Sequence, residues 1–309
     1  MPKFRTGVRL AAFVSVALLG VITAGGCGSS QVADQRPGND ENLARLNRSA
    51  RIAYDNGQLE QAANLYRQAL ERAYLRDDRQ AIVDAGYNLA VCMLGMRSYD
   101  SALDWVRLAK SELARGNQSI SADILILEAF ILFRSGKPDG AWQITDRILS
   151  EFERLPVVIG NKTHYLRGVI SDQRGDIAQL DRELNALSTS TDPGMQADRQ
   201  ELVGRLAMAE GRWDAAVEAF DDTVRLHREN LDYAEMARAL ALGADACDRD
   251  GRHAAAATRY FRAGRSAVQQ HNHPDALKWL NSAAQNAEQA GDEPLNQEVR
   301  TYLQTIQPP

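Results

Sequence analysis

A small turn residue returns about every 39 residues along most of this chain, and that period decides what the chain can fold into. The positions are Gly57, Arg97, Gly136, Gly175, Gly211, Gly251 and Gly291, separated by 40, 39, 39, 36, 40 and 40 residues. All but Arg97 are glycine, the residue that most readily takes the positive φ that closes a helix. Seven positions before each turn stands Ala50, Ala90, Ala129, Gly168, Gly204, Ala244 or Ala284. Five positions after it alanine recurs at Ala62, Ala102, Ala141, Ala216 and Ala256, with Leu180 and Asn296 in the other two places. Small residues at fixed distances on both sides of a turn are what two touching helices need, because bulk there forces the axes apart. Between the turns aliphatic residues follow helical spacing, as at Leu295, Val299, Leu303 and Ile306, and no strand-like alternation competes. Further breaks fall near Asp77, Gly116 to Asn117, Pro156 to Gly160, Asp192 to Gly194, Asn230 and His273-Pro274. The expectation is an all-α chain of fourteen helices in seven hairpins, each hairpin touching only its neighbours.

The pattern resembles the tetratricopeptide repeat, from Leu43 to Ile306. The clearest copies are Gly57-Gln58-Leu59-Glu60-Gln61-Ala62 with Tyr66 and Ala69-Leu70, and Gly211-Arg212-Trp213-Asp214-Ala215-Ala216 with Phe220. The period exceeds the 34 residues of that family, and His253, Glu293 and Pro138 replace the aromatic that Tyr99 and Trp213 supply two places after the turn. The resemblance implies a right-handed α-solenoid of about seven hairpins whose first helices line a concave groove. In this register the second to fourth hairpins would present Tyr87, Val91, Leu94, Ile126, Phe130, Phe133, Tyr165 and Val169 to a partner. Core packing produces the same spacing, so this stripe reads as groove or as core. The matching face of the fifth to seventh hairpins is charged, with Asp198, Glu201, Arg205, Arg238, Asp245, Asp248, Arg249, Lys278 and Glu288. Of the basic clamp by which some family members hold a C-terminal carboxylate, only Lys162 is present in a suitable place.

The N-terminal segment is of another kind. Lys3, Arg5 and Arg9 precede an apolar run from Leu10 to Ala24, which reads as a secretory signal, somewhat short for a spanning helix. It ends in Ala24-Gly25-Gly26-Cys27, which resembles the lipobox of bacterial lipoproteins, with Ala24 where leucine is usual. That resemblance implies removal of residues 1–26 as a lipoprotein signal peptide and attachment of lipid, palmitoyl chains among them, to Cys27. Residues 27–42 are polar and read as a flexible tether, and 43–309 as the repeat domain. Because Gly28, and not aspartate, follows the cysteine, the resemblance further implies the periplasmic side of the outer membrane, or the outer face of the cell membrane in a Gram-positive host.

Loss of the signal would remove three of the 36 basic residues and leave 33 against 41 acidic ones, a net charge of −8. An acidic chain with no basic stripe is not expected to bind nucleic acid. No phosphate loop, nucleophile elbow or paired zinc ligands occur in the mature sequence, and His271-Asn272-His273 reads as an exposed loop without a third ligand. Neither catalysis nor a metal, cofactor or small-molecule substrate is therefore expected. Cys92 and Cys247 fall in the second and sixth hairpins, too far apart for the Cα separation of about 7 Å that a disulfide tolerates. The function expected is a membrane-anchored, periplasmic protein-binding scaffold or assembly adaptor for a protein partner of the cell envelope. The alternative is a carrier holding a lipid or glycan fragment in the groove.

Overall fold

The computed structural model describes residues 40–306. The signal segment, Cys27 and the tether as far as residue 39 lie outside the described residues. Fourteen helices and no strand occur among those described. They fall into two compact units, which divide after Glu153. In the first, α1 (Glu41–Asp55), α2 (Leu59–Leu75), α3 (Arg79–Gly95), α4 (Tyr99–Arg115), α5 (Ala122–Arg134) and α6 (Pro138–Glu151) pack each against the next. In the second, α7 (Val157–Arg174), α8 (Ile177–Ala186), α9 (Pro193–Ala209), α10 (Trp213–Glu229), α11 (Tyr233–Arg249), α12 (His253–Gln269), α13 (His273–Ala290) and α14 (Glu293–Ile306) do the same. Odd-numbered helices open the hairpins and even-numbered helices close them.

The turns explain why hairpins form where they do. At Gly57 the chain enters the left-handed region at φ +76°. The Gly57 N–H donates to the Tyr54 carbonyl at 2.8 Å and the Gln58 N–H to the Ala53 carbonyl at 2.9 Å, which satisfies carbonyls the helix end would otherwise orphan. Arg97 makes the same turn at φ +59°, with the Ser98 N–H on the Met93 carbonyl at 2.9 Å, so the exception in the glycine series keeps the geometry at a steric cost that glycine avoids. Four of the turns between hairpins use the same device, on Asp77, Asn117, Leu231 and His271. Aspartates follow these turns as caps: Asp78 accepts the Ala81 N–H and Asp232 the Glu235 N–H. The first helix begins at Glu41, two residues before the expected Leu43, because Asp40 caps it through the Asn42 and Leu43 N–H groups and accepts from Arg72 at 2.7 Å. Pro156 and Pro193 stand at helix starts, so Gly160 and Gly194 lie inside first turns and not in breaks.

The small residues on either side of the turns are contact points. Ala50, Ala90, Ala129 and Ala244 are fully buried, as are Ala62, Ala102, Ala141, Leu180, Ala216 and Ala256. At Gly204 a methyl group would stand 2.7 Å from Phe220 Cε1, so glycine is what lets α9 and α10 approach. The first unit's core runs from Ala53 through Leu89 and Val106 to Leu127 and Ile131, and the second unit holds a cluster through Leu240, Tyr260, Leu280 and Val299. Burial of each such aliphatic chain contributes about 1.5–3 kcal/mol. Cys92 and Cys247 are both free and buried, in accord with the expectation, and burial pushes the Cys92 thiol up to about 12. No helix among the described residues is long and apolar enough to cross a membrane.

Candidate functional site

Three successive opening helices of the second unit, α7, α9 and α11, are joined by side chains that carry charge. On α7, Lys162 donates to Asp198 of α9 at 2.7 Å, and the Tyr165 hydroxyl donates to Glu201 Oε2 at 3.0 Å. On α9, Arg205 bridges back to Asp172 of α7 at 2.6 Å and along its own helix to Glu201 at 2.8 Å. On α11, Arg238 donates to Glu201 Oε1 at 2.7 Å, to the Tyr165 hydroxyl at 3.1 Å, and to Glu235 on its own helix. Glu201 is the centre of this ladder, 1% exposed and accepting from a tyrosine and two guanidiniums. Charge-assisted bonds of this kind are stronger than neutral ones, and in a poorly hydrated site they reinforce one another.

The electrostatics follow from an imbalance. Three cations, Lys162, Arg205 and Arg238, with the His227 imidazole beside Asp198 and Asp232, face five carboxylates, Asp172, Asp198, Glu201, Asp232 and Glu235. Burial alone would push Glu201 up, but Arg238 and Arg205 overcome it and hold its carboxyl at about 2. Burial opposes the charge on Lys162, yet Asp198, Glu235 and Asp232 together raise it above its ordinary value. Burial raises Asp198 as well, with Lys162 offsetting it only in part, and it raises Asp232, with Glu235 adding to the effect. For both carboxyls burial is the larger cause and a neighbouring glutamate adds to it, whereas Lys162 rises against its burial through the carboxylates around it. Solvent still reaches the site, because the Asp232 side chain is 42% exposed and that of Lys162 31%. The ladder is therefore buried at Glu201 and Asp198 and meets solvent at Asp232 and Lys162.

The residues expected to meet a partner divide. Val91, Ile126, Tyr165 and Val169 are buried, whereas Tyr87, Leu94, Phe130 and Phe133 are half-buried. Val91 belongs to the first unit's core and Tyr87 and Leu94 pack against it. Helix α5 is apolar on most of its surface, so Ile126 is enclosed on the face that the register assigned to a groove. Tyr165 belongs to the charged ladder through its hydroxyl, not to an apolar stripe. From the charged set, Asp198, Glu201, Arg205 and Arg238 come together. Asp245 instead accepts from the Tyr260 hydroxyl on α12, and Asp248 lies 3.2 Å from His253. Sequence reading left out Asp172, Asp232 and Glu235, and it set Lys162 apart as the remnant of a clamp. A signal was present: bonded partners stand 33 to 37 residues apart, one hairpin in this part of the chain. His271 forms a turn and His273 is the first residue of α13, and among the described residues no group of three or more His, Cys, Asp or Glu is placed to hold a metal ion.

A family model described as tetratricopeptide repeat matches residues 47–120, in the first unit, and 204–267, in the second. No curated protein matches the chain in sequence. Among solved structures, a Rap protein complexed with Competence and Sporulation Factor is similar at TM-score 0.60 and 13% identity, over 86% of this chain and 74% of that one. The apo quorum sensor NprR from B. thuringiensis is similar at TM-score 0.55 and 12% identity, over 87% and 83%. The apo form of RapI gives 0.53 and 11%, over 85% and 76%. At such identities the likeness concerns the fold alone.

Proposed function

We propose that this chain is a non-catalytic scaffold of the bacterial cell envelope, anchored through lipid on Cys27, that holds a protein partner on the opening helices of its hairpins. The observation that carries the reading is the ladder on α7, α9 and α11, whose polar groups span three hairpins and stay open to solvent at Asp232 and Lys162. Polar groups ordered across three helices, with an edge open to water, suit the hydrogen-bonding rim of a bound polypeptide segment. The tetratricopeptide repeats support it, and the similar Rap structure is itself a complex with Competence and Sporulation Factor. The small residues before Cys27 support the anchor, and the polar 27–42 segment would give the repeat units reach from the membrane. A single acyl chain binds membranes only marginally, so stable anchoring rests on more than one.

Two experiments test the two halves of this reading. Cys27→Ala should abolish incorporation of labelled fatty acid and release the protein from membranes, while leaving its far-ultraviolet circular dichroism unchanged; equal labelling of the variant would refute the anchor. Chemical crosslinking in intact cells should then join the anchored protein to a distinct envelope protein. Adducts confined to copies of this chain would argue against a scaffold.

A further inference from the structure

The geometry points to a docking surface on α7, α9 and α11 that is selective for a cationic segment, one that brings a lysine or arginine side chain to the carboxylates around Asp232. The inference rests on the scaffold reading above and adds the charge of the partner to it. Three observations carry it. The ladder holds fewer cations than carboxylates, and the deficit lies at its open end, where the Asp232 side chain meets solvent.

Asp232 has acceptor capacity that the protein does not fill. Its Oδ1 accepts the Glu235 N–H as a helix cap at 3.2 Å. Its Oδ2 stands 3.9 Å from Nδ1 of His227, outside hydrogen-bond reach. His227 is 6% exposed, and its Nδ1 has no hydrogen-bond partner although it faces this carboxylate. A buried polar atom left in this way is uncommon in a native protein. The third observation is a contrast within the ladder. Around Glu201 every acceptor is matched by a guanidinium or hydroxyl, so the ladder can satisfy a carboxylate fully where cations suffice. Complementary charge from a partner would complete at Asp232 what Arg205 and Arg238 complete at Glu201, and like charge from an acidic segment would be repelled.

The test is a selection followed by a charge swap. A random nonapeptide display library is panned against the full-length protein in detergent, and the selected peptides are read for composition. Enrichment of lysine or arginine is expected, and replacing that residue by glutamine in a synthetic copy should weaken binding about tenfold. The double variant Asp232→Asn with Glu235→Gln, whose asparagine keeps the helix cap, should weaken the cationic peptide similarly. A matched removal of two exposed charges elsewhere, Asp104→Asn with Asp222→Asn, should leave it within about twofold. Neutral or acidic peptides that crosslink to α7, α9 or α11 would overturn the charge preference and leave the scaffold reading standing. Equal weakening by both double variants would show a whole-molecule charge effect and also overturn it. Failure to select any peptide counts against both.

Discussion

Replacing Glu201 by alanine should destabilise the second unit by about 3–5 kcal/mol, the loss expected when one partner of a buried ionic network is removed and the others are left. Arg205 and Arg238 would then share a poorly hydrated site without their common acceptor, and Tyr165 would lose the partner of its hydroxyl. The pH dependence gives the change a signature. Glu201 is held at about 2 in the folded chain against an ordinary 4.5. A depressed carboxyl contributes its stability in full above 4.5 and loses it as pH falls towards 2. That contribution is on the order of 3 kcal/mol at neutral pH. Urea unfolding followed by circular dichroism should therefore show wild type and Glu201→Gln far apart at pH 7 and converging near pH 2. A constant difference across that range would mean that Glu201 acts by shape and not by charge.

A loss of similar size is expected at Phe220, whose ring is fully buried between α9 and α10. Phe220→Ala should cost about 3–5 kcal/mol. The same ring occupies the space beside Gly204, where a methyl group would come within 2.7 Å of it. Gly204→Ala alone should cost about 1–3 kcal/mol by overpacking. In the Phe220→Ala background the alanine fills vacated space, and its cost should disappear or change sign. Strict additivity of the two changes would contradict the contact that this position is inferred to make.

The fold was largely legible because a solenoid is local. Each hairpin repeats the same requirement for a turn at positive φ flanked by small residues, so Ala50, Ala90, Ala129, Gly204 and Ala244 could be aligned by counting alone. Arg97 remained readable because its neighbours at 90 and 102 kept the pattern. The turns between hairpins were harder, since Leu231 and His271 carry no chemical mark of a left-handed conformation and are held there by the helices around them. The site was legible in part. Asp198, Glu201, Arg205 and Arg238 stood out as charge on a face that otherwise packs, but which charges meet depends on contacts one hairpin apart, which periodicity within a helix does not reveal. Tyr165 shows the difficulty best: the same spacing that made it an aromatic anchor also sets its hydroxyl beside Glu201 and Arg238.

If the partner is held on the opening helices of the second unit, site-specific photocrosslinking in living cells should catch it there. A photoreactive amino acid placed at Tyr233, the exposed first residue of α11 next to Asp232, is compared with one at Arg225, an exposed residue of the closing helix α10 whose charge is taken up by Asp222 and Glu229. A discrete adduct with an envelope protein is expected from position 233 and little or none from 225. An adduct from 225 with none from 233 would place the partner on the closing helices and contradict that placement.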